Sequence, residues 1–340
     1  MNGVLVIDKP AGLTSHDVVN RVRRILRQRA VGHLGTLDPL ATGVLPLVTG
    51  SLTRLAQFYA NAEKTYEGII RFGFATDTYD AEGEPTTTPQ EVRLRLDEVE
   101  ALAARFRGVI EQIPPPFSAK KIHGVPAYKL ARKQKEVVLQ PVQVEIKDFD
   151  ILSVQADRLQ FRARVASGTY MRSVAHEMGQ ALSCGAHLES LCRTAVAEFT
   201  LADAHTLESI QAAASPANSD AINISAGTTP EGAAENGPPL QRRPGASASE
   251  ARPAALAALF VHPRKLLPQF PSVTAGPPAV ARILNGRTVN LPELSRARQV
   301  KVFSGQSDLI AIATRVAGTL FHAKIVLSGA APSSVLLSED

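Results

Sequence analysis

Cysteine is scarce: Cys184 and Cys192 are the only two in 340 residues. Their spacing fits neither a redox pair nor a zinc site, and two thiols build no disulfide framework. A reduced, cytoplasmic setting is therefore expected. Long apolar runs are missing, so no segment reads as a membrane-spanning helix. The first residues, Met1-Asn2-Gly3-Val4-Leu5-Val6-Ile7-Asp8-Lys9-Pro10, lack the basic start and extended apolar stretch of a signal peptide. Acids are also missing over one stretch, because Asp38 is the sole carboxylate between Gly32 and Glu63. That disfavours an aspartyl-phosphate phosphotransferase, which needs Mg²⁺ and further carboxylates near its nucleophile. His16, His123, His176, His187, His205, His262 and His322 form no ligand pattern for a metal. The acids of Thr76-Asp77-Thr78-Tyr79-Asp80-Ala81-Glu82-Gly83 do not alternate as a calcium loop requires. No metal is expected.

What is present is ordinary for a soluble globular chain: 44% hydrophobic and 20% charged residues. The length favours about two domains. The net charge of +5 favours an acidic partner, with nucleic acid first. The charge is concentrated. Arg21, Arg23, Arg24, Arg27 and Arg29 form one acid-free cluster, and Lys120, Lys121, Lys129, Arg132, Lys133 and Lys135 a second. Either alone reads as a solvated face; two together favour phosphate contact.

One stretch fits neither a core strand nor a helix: Gly32-His33-Leu34-Gly35-Thr36-Leu37-Asp38-Pro39-Leu40-Ala41-Thr42-Gly43-Val44-Leu45-Pro46. Its glycines open backbone angles closed to other residues. Pro39 removes a donor and biases Asp38 towards extended geometry. Val44, Leu45, Leu47 and Val48 read as a buried strand that follows. A carboxylate in such a loop is either desolvated or held ionised by a cation; the bland alternative is a turn carboxylate bonded to its own backbone.

This run closely resembles the catalytic loop of the TruB family of tRNA pseudouridine synthases, and a match of that length is far more specific than a short motif. The resemblance spans 1–199 with specific motifs and continues weakly beyond. It implies that Asp38 is the nucleophile and that Arg172, in Gly168-Thr169-Tyr170-Met171-Arg172, is the cation beside it. It also implies that His33 inserts into the RNA loop. Tyr66 would stack on the flipped base, with its hydroxyl near the proton to be moved from carbon 5, and Tyr170 and Leu191 would line the uracil pocket. Asp80 and Lys9 are supporting groups, Lys9 having a structural place in the Lys9-Pro10 turn that in the family supports the catalytic loop. Cys192, in Leu191-Cys192-Arg193, departs from the family's more usual residue. The implied activity is isomerisation of uridine 55 in the T-loop of tRNA, by a monomer that needs no cofactor. A non-catalytic tRNA-binding or folding module is the alternative, since the basic clusters serve it equally well.

The fold class implied is α+β. A pseudouridine synthase catalytic domain with a mixed, largely antiparallel sheet is expected over 1–214. Within it, 118–135 is a basic loop and helix covering bound RNA. A low-complexity insertion follows over 215–255, rich in Ala, Pro, Gly, Ser and Asn. A small β-rich, PUA-like RNA-binding domain is expected over 256–335. Within these units, 4–7 reads as a strand, and Thr14 caps a helix with Asp17 in its first turn. The stretch 64–74 reads as a strand showing Tyr66, Gly68, Ile70 and Phe72 on one face. Over 94–106 the spacing predicts an amphipathic helix with Leu96, Val99, Leu102, Ala103 and Phe106 on one side. Separate strands are expected over 142–146, 149–154 and 159–166.

Overall fold

The computed structural model describes residues 1–118, 120–122, 125–127, 139–215 and 254–327. The basic segment 128–135 and the stretch 216–253, both singled out above, lie outside the described residues. In chain order the elements are β1 (Gly3–Lys9), α1 (Ser15–Ile25), β2 (Val31–His33), β3 (Thr42–Thr49), β4 (Lys64–Phe72), α2 (Leu96–Ala104) and β5 (Gly108–Gln112). Next come β6 (Lys121–Ile122), β7 (Val125–Pro126), β8 (Val142–Gln155), β9 (Arg158–Val165), α3 (Met171–Ala181), β10 (Ala186–Val196), β11 (Phe199–Thr200) and α4 (Leu207–Ala214). The chain continues with α5 (Ala254–Ala258), β12 (Phe260–Val261), β13 (Ser272–Ala275), α6 (Pro277–Leu284), β14 (Val289–Asn290), β15 (Gln299–Ser304), β16 (Asp308–Ala317) and β17 (Leu320–Val326).

Ten strands form one sheet whose main path runs β12-β1-β3-β10-β4-β9-β8-β5. Neighbours are antiparallel except for β3 and β10, which run parallel. That seam is short, pairing Cys192 with Thr42 and Arg193 with Gly43, and it lies where the Asp38 loop enters β3. Period-two burial organises β4: Lys64, Tyr66, Gly68, Ile70 and Phe72 are covered and the residues between them are not. The helix α1 starts with a capping box. Thr14 Oγ1 accepts from the Asp17 N–H at 3.1 Å, and Asp17 Oδ2 accepts from the Thr14 N–H at 3.0 Å. Val18, Val19 and Val22 then turn inward.

Two expectations are corrected here. The strands at 142–146 and 149–154 are one strand, β8. Its register shifts between Ile146 and Asp148 and again between Ile151 and Ser153, so the polar interruption is absorbed as bulges. The helix over 94–106 is shorter, and Leu96 at its start is 53% exposed, because the first turn overhangs the apolar cluster that Val99, Leu102 and Ala103 enter.

The second sheet runs β13-β15-β16-β17-β14. The chain first touches the large sheet again: Phe260 and Val261 pair with Leu5 and Val4, and Leu256 joins the cluster under α1. The expected boundary at 256 falls inside this segment. The two sheets share a core in which Val4, Val44, Val48, Leu52 and Phe199 meet Leu266, Leu267, Phe303, Ile312 and Leu327. A carboxylate ties the same junction: Glu198 Oε1 accepts from the Tyr59 hydroxyl at 2.5 Å and from the Leu267 N–H at 2.8 Å. Burial, then the Glu198 charge, pushes the Tyr59 hydroxyl far above its ordinary pKa. Among the described residues no helix is long and apolar enough to cross a membrane.

Candidate active site

The loop that carries Asp38 is held by its main chain. Ser15, the first residue of α1, meets Leu37 twice: its hydroxyl accepts from the Leu37 N–H at 2.8 Å and donates to the Leu37 carbonyl at 3.0 Å. Lys9 Nζ donates to the carbonyls of Pro10 (2.8 Å), Leu13 (2.7 Å) and Pro39 (3.2 Å). Arg193 donates through Nε to Val44 O (2.8 Å), and through its two terminal nitrogens to Thr36 O (3.0 Å) and Gly35 O (3.1 Å). The loop itself turns at Asp38, whose carbonyl accepts from the Ala41 N–H at 3.1 Å. Gly35 and Gly43 use positive φ, +136° and +95°, while Gly32 lies within β2.

So fastened, Asp38 opens on a cavity of about 230 Å³ lined by Tyr66, Tyr170, Leu191, Lys64, Thr169 and Ser118 among others. Its side chain is 37% exposed, whereas that of Arg172, below it, is 5% exposed. Arg172 Nε lies 2.9 Å from Asp38 Oδ2, but the N–H is not aligned as a hydrogen bond. The arginine thus compensates the charge without holding the oxygen in a directional contact. The rest of Arg172 is fixed: it donates to Thr78 O (3.1 Å) and Phe117 O (3.2 Å) and lies 3.5 Å from Asp80 Oδ2. Asp80 is buried, and its Oδ1 accepts from the Thr78 hydroxyl at 2.6 Å and the Glu82 N–H at 3.1 Å.

The sequence-derived residues sort by position. Asp38, Tyr66, Tyr170 and Leu191 line one cavity; Arg172 and Asp80 lie beneath it. Lys9, expected in a supporting place, is fully buried, because three carbonyls replace its water. Burial lowers its pKa to about 8, against the pull of the Glu82 and Asp38 charges. His33 is half-buried; its Nδ1 accepts from the Gly35 N–H at 3.3 Å, and burial, then Arg193, lowers its pKa. Burial, and secondarily the Asp38 charge, raises the pKa of Tyr170.

Four residues escaped the sequence reading. Arg193 and Ser15 reach the loop across long stretches of chain; no local pattern marks Ser15, and the Leu191-Cys192-Arg193 element noted above says nothing of where the Arg193 side chain goes. Lys64 was legible, since it shares the buried period-two face of Tyr66. Burial, then Arg193, lowers its pKa to about 8. Glu82, in the loop whose acids form no calcium site, lies within electrostatic reach of Asp38. Burial, then Asp80 and Asp38, raises its pKa. Among the described residues no three His, Cys, Asp or Glu side chains converge to hold a metal. A wider groove of about 650 Å³ between α1 and α4 is lined by Arg21, Arg24, Glu208 and Gln211 and contains none of the groups around Asp38.

Comparison with known proteins follows the same outline. The family profile "TruB family pseudouridylate synthase (N terminal domain)" matches residues 23–171, and "tRNA pseudouridylate synthase B C-terminal domain" matches 172–223. The tRNA pseudouridine synthase B of Solibacter usitatus is 44% identical over 330 residues, covering 96% of this chain and 100% of that protein. That of Aquifex aeolicus is 43% identical over 218 residues, covering 64% and 76%. In fold, the chain resembles a structure of an H/ACA RNP bound to a substrate RNA containing 2′-deoxyuridine, with a TM-score of 0.65 at 21% identity, covering 96% of this chain and 85% of the other. A Cbf5-Nop10-Gar1 complex gives a TM-score of 0.64 at 22% identity, with the same coverage. With a relative this similar matched along its whole length, the chain belongs to the TruB family of pseudouridine synthases.

Proposed function

We propose that this chain isomerises uridine 55 in the T-loop of tRNA to pseudouridine, as a cytoplasmic monomer with Asp38 as nucleophile. The carrying observation is the charge arrangement: Asp38 is the exposed member of an otherwise buried network, and it faces a cavity lined by Tyr66, Tyr170 and Leu191. The name shared by the similar relatives, tRNA pseudouridine synthase B, supports the same substrate class.

The reaction breaks the bond from ribose carbon 1′ to uracil N1 and forms one from carbon 1′ to carbon 5. A proton leaves carbon 5 and N1 takes one, so electrons balance within the substrate and no redox partner enters. The target base must leave its stack at a cost of a few kcal/mol. Tyr66 offers a ring face for the base and a hydroxyl near the carbon 5 proton. Leu191 adds apolar surface in the same cavity. Asp38 forms the transient bond that lets base and sugar separate and rejoin, while Arg172, positioned by Asp80, keeps its charge compensated. His33, in the strand before the Asp38 loop, fills the stack that the base vacates, and the T-arm backbone follows the basic surface.

The test uses an unmodified tRNA transcript tritiated at carbon 5 of uridine. The wild-type protein is expected to release tritium from one uridine per tRNA. Asp38→Asn is expected to bind the tRNA and release none. Normal release by that variant would overturn the role of Asp38. Tight binding without release by the wild type would point to an RNA-binding module instead.

A further inference from the structure

The cavity holds a cation that the chemistry above leaves without a task. Lys64 is 9% exposed and lines the cavity with Gly35, Thr36 and Thr169. Its ammonium has three donors, and the described structure places one, on Ala62 O at 2.7 Å. No carboxylate is among the charges that act on it; the charge it feels is that of Arg193, another cation. Arg193 spends its described hydrogen bonds on carbonyls. Two cations thus lie together without an anion among the described residues. Such a pair is unfavourable until an anion arrives. On the same cavity wall, Thr169 Oγ1 is buried and without a partner among the described residues. Asp38, in the same cavity, is already compensated by Arg172, whose Nε lies 2.9 Å from its Oδ2.

We propose that Lys64 Nζ binds a phosphate oxygen flanking the nucleotide whose base enters the cavity, and so sets how far the ribose advances towards Asp38. This rests on the proposed function, in which the ligand is RNA. A phosphodiester supplies the missing anion at the distance of a sugar from the base. The lysine then acts as a positioning residue: it holds the backbone while the base is read by Tyr66 and Leu191. Its place on β4, two residues before Tyr66, links the two contacts through one rigid strand.

The test uses T-arm stem-loop RNAs in which a neutral methylphosphonate replaces the phosphodiester on the 5′ or the 3′ side of the target uridine. Affinity is read by filter binding, which needs no turnover, so a failure to isomerise would count against the proposed function and leave this test intact. The wild type is expected to bind one of the two substituted RNAs about tenfold more weakly than the parent, the scale of one charge-assisted hydrogen bond. Lys64→Gln is expected to bind the parent about tenfold more weakly and to discriminate no further against that methylphosphonate. Its salt slope should fall by about one, and Lys64→Arg should restore both affinity and discrimination. Equal binding of all three RNAs by the wild type would overturn the proposal, as would losses that multiply in the variant. Should Lys64→Gln not fold, Lys64→Met carries the same comparison.

Discussion

Arg193 is fully buried and ties Gly35, Thr36 and Val44 through their carbonyls. Replacing it by methionine leaves those three acceptors unmet in the interior, where each lost partner costs about 1–3 kcal/mol. Arg193→Met is therefore expected to lower stability by several kcal/mol and to reduce turnover with it; an unchanged urea midpoint would contradict this account of the loop. Lys64 carries a separate pH signature. Burial lowers its pKa from an ordinary 10.5 to about 8 in the folded chain. Between those values the unfolded chain holds more protons, so stability rises with pH there; below about 8 both forms are charged and the cost of burial is fully present. Wild type should gain on Lys64→Gln by about 3 kcal/mol between pH 7.5 and 10.5. Lys9, with a similar value, is common to both proteins and cancels in the difference. Denaturant titrations at intervals across that range check it, and a constant difference would refute it.

The seam between β3 and β10 is the element on which the site depends. Gly43 sits there at φ +95°, and a Cβ at that position would lie 2.3 Å from the Arg193 carbonyl oxygen. Gly12, in the turn after β1, has φ +79° with nothing within 4 Å of the same added atom. Both replacements by alanine are strained, but only one collides with backbone. Gly43→Ala is expected to cost clearly more than Gly12→Ala in melting temperature, and to depress turnover further; equal losses would mean that the seam can open freely. The same comparison marks what a single sequence can reveal. The buried face of β4, the capping box of α1 and the Gly-Pro character of the loop are local, and each was legible. The continuity of β8 was not, because the polar Lys147-Asp148 step looks like a break until bulges absorb it. The burial of Lys9 was not legible, because the Leu13 and Pro39 carbonyls that replace its water come from a helix entry and a distant loop. Arg193 was illegible for the same reason: its three acceptors are assembled only when β10 reaches β3.

At the scale of the molecule, the shared core governs. Leu266, Leu267, Phe303 and Ile312 pack with Val4, Val44 and Phe199, and Glu198 pins the Leu267 amide while accepting from Tyr59. One cooperative unfolding transition is expected over both sheets. Leu267→Ala is expected to lower it by about 2–5 kcal/mol while keeping it single; two resolved calorimetric transitions in the wild type would contradict a common core. The junction has a further consequence. A second sheet joined by a flexible tether would swing, and a ligand touching both parts would be bound across many spans. Here the span from the Asp38 cavity to the second sheet is set by interdigitated side chains rather than by tether length. The protein is a caliper with locked jaws: any ligand that touches both ends meets one fixed span.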